Sequence, residues 1–307
     1  MSELKYVFGP VPSRRLGRSL GISPIPKKSC NYSCIYCQLG RTNKMTNARK
    51  EFFPLEEILS EFECYLKDED RFDVVSIVGE GEPTLYSRLG DLIREIKART
   101  SKPVAVITNS ALMGDPQVRA DLMEADIVLP SMDSCDELSW KKIDRPHGQL
   151  NYQEIYDGLV EFSHNFKGQL FMEIMLMDGI NDDMESLKKF KAALANLRYD
   201  KLYVNTPVRP PAEDFVTVST PETIQNATQM LGGISIDALA GGGFFSEIED
   251  DYEAILSIIG RHPMNQYEVR GFLDSRKADA DALMDKLSKD PKVLLTEYKG
   301  YITYRLK

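Results

Sequence analysis

Long hydrophobic runs are missing from this 307-residue chain. No stretch approaches the ~20 consecutive apolar residues that a membrane-spanning helix requires, so no bilayer crossing is expected. The opening run MSELKYVFGPVPSRR lacks the apolar centre of a secretory signal, which argues against export. Cysteine is scarce: there are five, an odd number, and without an export signal they do not read as a disulfide framework. The compartment these absences suggest is a reducing cytoplasm. Histidine is scarcer still, at His147, His164 and His262 alone. No repeats or low-complexity tracts occur, and the length suffices for one large domain followed by a small one.

Three of the five cysteines are packed into eight residues, in the run Ser29-Cys30-Asn31-Tyr32-Ser33-Cys34-Ile35-Tyr36-Cys37-Gln38. The spacing is C-x3-C-x2-C, with Tyr36 immediately before the third cysteine. Three thiolates on one short loop can hold three irons of a cubic [4Fe–4S] cluster and leave the fourth iron free to bind a small molecule. Structural zinc is the competing reading. It almost always takes four protein ligands, and with no histidine nearby it would have to recruit a distant residue, Cys64 being the nearest cysteine. Charge is uneven around this loop. Residues 1–50 carry ten Lys/Arg and one acidic residue, Glu3, whereas the remainder carries 28 Lys/Arg against 46 Asp/Glu, so a segment of +9 precedes a body of −18. A basic segment beside a reactive centre can draw in an anionic substrate or balance an anionic thiolate cluster. It can equally be a solvated surface with a few structural arginines.

Short apolar, β-branched runs alternate with longer helical patterns. Strands are expected at Leu20–Ile25, Val74–Val78, Val104–Thr108, Ile127–Leu129, Leu170–Leu176 and Lys201–Asn205. Helices are expected at Leu55–Lys67, Leu89–Ala98, Val118–Met123, Tyr152–Phe162 and Met184–Leu197. Six alternations with strands apolar on both faces predict parallel βαβ units. The fold class is therefore α/β, a partial (β/α)6 TIM-like barrel over residues 1–240, with a doubly wound open sheet as the competing architecture. Either one gathers the segments that follow the strands at one edge. These are the cysteine loop, Gly79-Glu80-Gly81-Glu82-Pro83, Thr108-Asn109-Ser110, Met132-Asp133, Met177-Asp178 and Asn205-Thr206.

Pro207–Pro211 and Gly241-Gly242-Gly243 mark the exit from this unit. Residues 241–307 then read as three helices, Tyr252–Ile259, Asn265–Phe272 and Ala278–Leu287, and a hairpin of Val293–Glu297 with Tyr301–Leu306. That is the order of a winged-helix-like α+β domain. Residues 250–307 balance ten basic against ten acidic residues, and the candidate recognition helix carries Asp279, Asp281 and Asp285. Duplex DNA is therefore not an expected partner.

The cysteine loop after a first strand, Gly81-Glu82-Pro83 after the second and Thr108-Asn109-Ser110 after the third resemble, in that order, the radical S-adenosylmethionine (SAM) superfamily over roughly residues 6–211. Within it, Gly9-Pro10-Val11-Pro12-Ser13-Arg14-Arg15-Leu16-Gly17 and Asn205-Thr206-Pro207-Val208-Arg209-Pro210-Pro211 resemble a branch related to wyosine-type tRNA-modifying enzymes. The resemblance implies that Cys30, Cys34 and Cys37 ligate a [4Fe–4S] cluster and that SAM chelates its open iron through amino and carboxylate groups. A reduced cluster would cleave the sulfonium to methionine and a 5′-deoxyadenosyl radical, with the electron supplied by an external donor such as flavodoxin or ferredoxin. Tyr36 would pack near the adenine, Gly81 would leave room for close backbone approach and Glu82 would meet SAM's ammonium. Asn109 and Ser110 would approach the ribose and carboxylate, Ser110 standing where the family usually has Gly. Asp133 would contact SAM or the substrate, and Met177 would cover the adenine. The local alternatives are helix caps for Asn109, Ser110 and Asp133, and a core or rim methionine at 177.

Other residues carry weaker signals. His147 lies in a polar loop, Arg14, Arg15 and Arg18 can guide a phosphate or form ion pairs, and Arg209 can bind an anion or cap the barrel. Cys64 reads as a small buried helix residue, and Cys135 lies near the expected mouth. The function expected is a radical SAM enzyme that abstracts hydrogen from a tRNA base, a peptide or a small molecule. The alternative from another class is a zinc-stabilised winged-helix binding or regulatory protein without catalysis. Against tRNA stand an acidic body and too few cysteines for the second cluster of the tRNA-modifying group.

Overall fold

The computed structural model describes residues 5–236, 243–246 and 248–307. β1 (Val7–Ser13) and β2 (Gly17–Ile22) form an antiparallel pair. The cysteine loop follows and contributes only the two-residue strands β3 (Ser29–Cys30) and β4 (Lys44–Met45). Alternation then begins with α1 (Leu55–Glu63), β5 (Val74–Ile77), α2 (Leu89–Lys97), β6 (Val104–Thr108), α3 (Pro116–Leu122) and β7 (Ile127–Pro130). It continues through α4 (Glu137–Ile143), α5 (Tyr152–Asn165), β8 (Gln169–Met175), α6 (Met184–Leu194), β9 (Lys201–Asn205), α7 (Pro221–Leu231) and β10 (Ile234–Ser235).

The sheet order is β1-β2-β5-β6-β7-β8-β9-β10, and every pairing from β2 to β10 is parallel. Spatial order follows chain order without a reversal. A doubly wound sheet reverses at a switch point, so this sheet is singly wound. Because parallel crossovers are right-handed, an unreversed order puts the crossover helices on one face. The pleat sorts the side chains accordingly. Val75, Ile77, Val106, Val128, Met172 and Val204 share one apolar core with helix residues such as Ile58, Ile93, Phe162 and Phe190. The alternate positions Val74, Ala105, Ile127, Leu129, Phe171 and Tyr203 form a separate layer on the other face. Both faces are covered, which is why these strands read as continuous apolar runs.

Among the α-helices and the strands of four or more residues, three elements escaped the sequence pattern. β1 contains Pro10 and Pro12 and so reads as loop, but it lies at the sheet edge, where a missing N–H leaves no ladder bond unmade. α4 is only seven residues long and is started by a capping box between Asp136 and Ser139. α7 carries standard punctuation, with Thr220 as N-cap, Pro221 at the first turn and Gly232 left-handed at φ 71°.

The C-terminal residues form α8 (Asp251–Arg261), β11 (Met264–Asn265), α9 (Gln266–Ser275), α10 (Ala280–Lys289), β12 (Val293–Tyr298) and β13 (Tyr301–Leu306). β11, β13 and β12 make a three-stranded antiparallel sheet over a separate apolar core that includes Ile255, Ile258, Phe272 and Leu287. Polar anchors fasten this unit to the large sheet. Arg209 donates to the carbonyl of Pro263, pairs with Glu268 at 3.2 Å and lies 2.8 Å from His262 Nε2. Tyr298 donates to the carbonyl of Pro207 at 2.6 Å, and Arg261 pairs with Glu80 at 3.5 Å. Gly241, Gly242 and the expected boundary at 240–241 lie outside the described residues. Among the described residues, no helix is long and apolar enough to cross a membrane.

Candidate functional site

The cysteine loop has almost no regular structure, so it is held by what it touches. The segment after α4 runs along it: Ser33 N–H donates to Asp144 O at 2.9 Å, Ile35 N–H to Ile143 O at 2.9 Å, and His147 N–H to Asn31 O at 2.8 Å. Buried Glu213 clamps both segments. It accepts from Arg41 of the loop at 2.8 and 2.7 Å and from Arg145, while its own N–H donates to Ile35 O at 3.1 Å. Arg41 and then Arg145 hold its carboxyl down at about 2. Trp140, the only tryptophan in the chain, donates through Nε1 to Tyr32 O–H at 2.9 Å. Sequence reasoning singled out none of Trp140, Asp144, Arg145 and Glu213, because nothing in a polar loop or a short amphipathic helix announces what it will pack against.

Cys30, Cys34 and Cys37 are half-buried and lie within electrostatic reach of one another. Their surroundings differ. Burial, with Glu82 adding to it, pushes the Cys30 thiol up to about 12. Burial and then Asp144 raise Cys34. Burial raises Cys37 as well, but backbone hydrogen bonds and the charges of Lys28 and Arg305 oppose it. Cys30 Sγ also accepts from Tyr32 N–H and from Asn109 Nδ2, each at 3.5 Å. Among the described residues, no three His, Cys, Asp or Glu side chains stand ready to hold a metal ion. The donor set itself, three thiols from one loop, fits a [4Fe–4S] cluster; binding would displace their protons.

The segments after the strands meet this loop. Gly81 backs directly onto it: a methyl group there would lie 1.8 Å from Ser29 O. The close approach that requires glycine is thus to the chain's own backbone. Glu82 is buried, and its carboxylate accepts from Thr84 N–H at 3.0 Å, Thr84 O–H at 2.6 Å, Thr108 O–H at 2.7 Å and Asn109 N–H at 2.8 Å. Burial raises its pKa and these bonds oppose the rise. Glu82 therefore ties the end of β6 to the loop after β5. Asn109 reaches back to the cysteine loop, donating from Nδ2 to Asn31 Oδ1 at 2.9 Å. Ser110 is left-handed at φ 67° and donates to Ser131 O at 2.7 Å. That backbone conformation is one glycine adopts without cost.

Asp133 accepts Met175 N–H at 2.7 Å and the Tyr36 hydroxyl. Burial raises Asp133, and burial together with the charge of Asp133 raises Asp144. Helix capping falls to Asp115 for α3 and Asp136 for α4, so Asn109, Ser110 and Asp133 do not serve as caps there. Met177 is fully buried with Ile35, Ile143 and Val216.

Several sequence candidates are drawn elsewhere. Cys64 is exposed and bonds Ser60 O at 3.5 Å, contrary to its expected burial. The buried stripe of α1 is Leu55, Ile58, Leu59 and Phe62, and position 64 lies about 200° around the helix from Phe62. Cys135 is half-buried, with its N–H on Ser139 Oγ at 3.3 Å. Arg15 pairs with Glu173, Arg18 with Asp73 at 2.7 Å and Arg49 with Asp121. Much of the basic N-terminal segment thus neutralises carboxylates of the acidic body.

The sequence profile of the radical SAM superfamily matches residues 25–190, and the chain belongs to that superfamily, whose members are enzymes. Over 98% of its length it is 36% identical to a UPF0026 protein of Methanocaldococcus jannaschii, 96% of which is covered. A radical SAM methyltransferase from Sphaerobacter thermophilus has a similar structure, with a TM-score of 0.53 at 14% identity over 72% of this chain and 68% of that one. Native anSMEcpe with bound AdoMet gives a TM-score of 0.51 at 19% identity, over 70% of this chain and 59% of that one. At such identities the likeness shows the fold alone: α/β with a mostly parallel sheet.

Proposed function

We propose that the chain is a radical SAM enzyme in which Cys30, Cys34 and Cys37 hold a [4Fe–4S] cluster and SAM binds beside it at the carboxyl ends of β5 to β8. The observation that carries this reading is the meeting of three thiols from one loop with Glu82, Asn109 and Asp133 at one end of a singly wound parallel sheet. When bound and reduced, the cluster supplies the electron that splits the sulfonium of SAM and starts hydrogen abstraction from the substrate. The chain's part is to position and shield. Glu82 fixes Asn109, Asn109 fixes Cys30, and Asp133 fixes Tyr36. Glu82, Asp133 and Asp144 are buried carboxylates without an ion-pair partner among the described residues. Burial disfavours their ionised forms, and a cationic guest would restore them; SAM brings both a sulfonium and an ammonium.

We read the sheet as a partial (β/α)6 barrel and the C-terminal unit as winged-helix-like, with the division near residue 240. The electron comes from an external donor of the flavodoxin or ferredoxin kind. The substrate class stays open between a tRNA base, a peptide and a small molecule. Both segments that carry the wyosine-type resemblance have structural duties here. Pro10 O accepts Phe245 N–H at 3.1 Å, and Pro207 and Arg209 anchor the C-terminal unit. Those segments therefore do not by themselves argue for RNA.

Anaerobic reconstitution tests the proposal. Roughly four irons and four sulfides per chain are expected, with 5′-deoxyadenosine released on adding SAM and dithionite. One tightly held zinc and no SAM cleavage would instead support the binding-protein reading.

A further inference from the structure

The C-terminal unit supplies something to the cysteine loop that the large sheet does not. On β13, Tyr304 and Leu306 turn into that unit's own core, so Arg305 between them turns the other way. Its guanidinium donates to the carbonyl of Gln38, next to Cys37, at 3.1 Å. Lys28 approaches the same turn from the loop after β2. Its N–H donates to Glu80 O at 2.6 Å, its carbonyl accepts from Lys44 N–H at 3.2 Å, and its backbone is left-handed at φ 58°. A non-glycine residue adopts that conformation rarely, and here the surrounding backbone bonds hold it. A methyl group on Gly40 would meet Lys28 Nζ at 3.4 Å and both terminal nitrogens of Arg305 at 3.8 Å. The ammonium and the guanidinium thus converge on the Cys37–Gly40 turn.

No carboxylate forms an ion pair with either cation among the described residues. Two half-buried cations brought together without a counter-ion are unfavourable unless an anion lies between them and the rest of the site. The loop's other end meets a different environment: Asn109, whose N–H donates to Glu82, reaches Cys30 Sγ at 3.5 Å, whereas the two cations converge on the turn that begins at Cys37. One side of the site is therefore electropositive, and the last strand of the chain contributes Arg305 to it.

We infer that Lys28 and Arg305 are charge-compensating positioning residues for the cluster, and that the C-terminal unit completes the reducible site. The inference rests on the cluster reading above. Reduction adds one electron from the external donor, which is oxidised; no bond forms or breaks. A cluster held by three thiolates is already anionic, and reduction makes it more so. Fixed cations in a low-dielectric setting stabilise the reduced form more than the oxidised one.

The test is an EPR-monitored potentiometric titration of the reconstituted full chain. Arg305→Gln keeps a donor for Gln38 O and removes the charge; Lys28→Gln removes the other charge. Each is expected to shift the midpoint potential to more negative values at unchanged iron content, the double variant further, and Arg305→Lys is expected to stay close to the parent chain. Glutamine variants that keep their iron and titrate at the parent potential would overturn the inference. If Arg305→Gln loses its iron, Lys28→Gln decides alone, because Lys28 does not bridge the two units. A parent chain that takes up no iron overturns the cluster reading itself, and this inference with it.

Discussion

The parallel sheet and the cysteine loop lie side by side and are held by different forces. The sheet buries apolar side chains on both faces, against helices on one side and an inner layer on the other. The loop has two short strands and is otherwise fastened by ion pairs and backbone hydrogen bonds to segments far away in sequence. Apolar burial contributes ~25 cal/mol per Å² and is indifferent to pH, whereas polar fastening depends on charge state and geometry. The scaffold and the reactive loop can therefore be weakened separately.

Phe162→Ala attacks the sheet side and carries the largest expected effect on stability. The ring is fully buried and stacks on Phe166 at 4.9 Å, so a cost of about 3–5 kcal/mol is expected in urea unfolding. Arg209→Met is expected to cost about 2–3 kcal/mol, because it strips hydrogen bonds from Pro263 and leaves Glu268 without its partner. Limited proteolysis should then release the C-terminal unit more readily; an unchanged cleavage pattern would show that the apolar contacts suffice.

Acid provides a gentler probe of the loop. The Glu213 carboxyl is held at about 2 by Arg41 and Arg145. A depressed value means that the stabilisation is complete above the unfolded carboxylate value of about 4.3 and is lost as pH falls towards about 2. Glu213→Gln should flatten that part of the stability–pH curve, as followed by thermal melts from pH 6 downwards. Cys34→Ala sharpens the contrast most. Its unfolding free energy is expected to change by only ~1 kcal/mol, while cluster iron is lost completely. A variant that retained iron and SAM cleavage would refute the ligand assignment.

What could be read in advance follows the same division. β6 and β9 were legible to the residue, since a continuous apolar run of strand length has few other uses. The parallel βαβ character of β5 to β9 was legible from alternation, but their order was not, since both a singly and a doubly wound sheet fitted the pattern. β1 was illegible because its prolines are tolerated only at an edge, and being an edge is a property of the sheet. Glu82 was legible as a site residue, yet its four hydrogen-bond donors were not. Asp144, Arg145 and Glu213 were invisible, because a polar residue in a loop acquires a role only from its neighbours.

The cysteine spacing, the superfamily resemblance, the α/β alternation and the basic charge around the loop are all local in the chain, and so could be read from it directly. Tertiary structure decided which basic residues pair with carboxylates of the body, and it brought Lys28 and Arg305 together at the Cys37–Gly40 turn. It also brought the last strand of the chain against a loop more than 260 residues earlier, the Arg305–Gln38 separation being 267. The physical reason is that hydrophobic periodicity is written in short stretches, while a charge takes its meaning from groups that only folding places beside it.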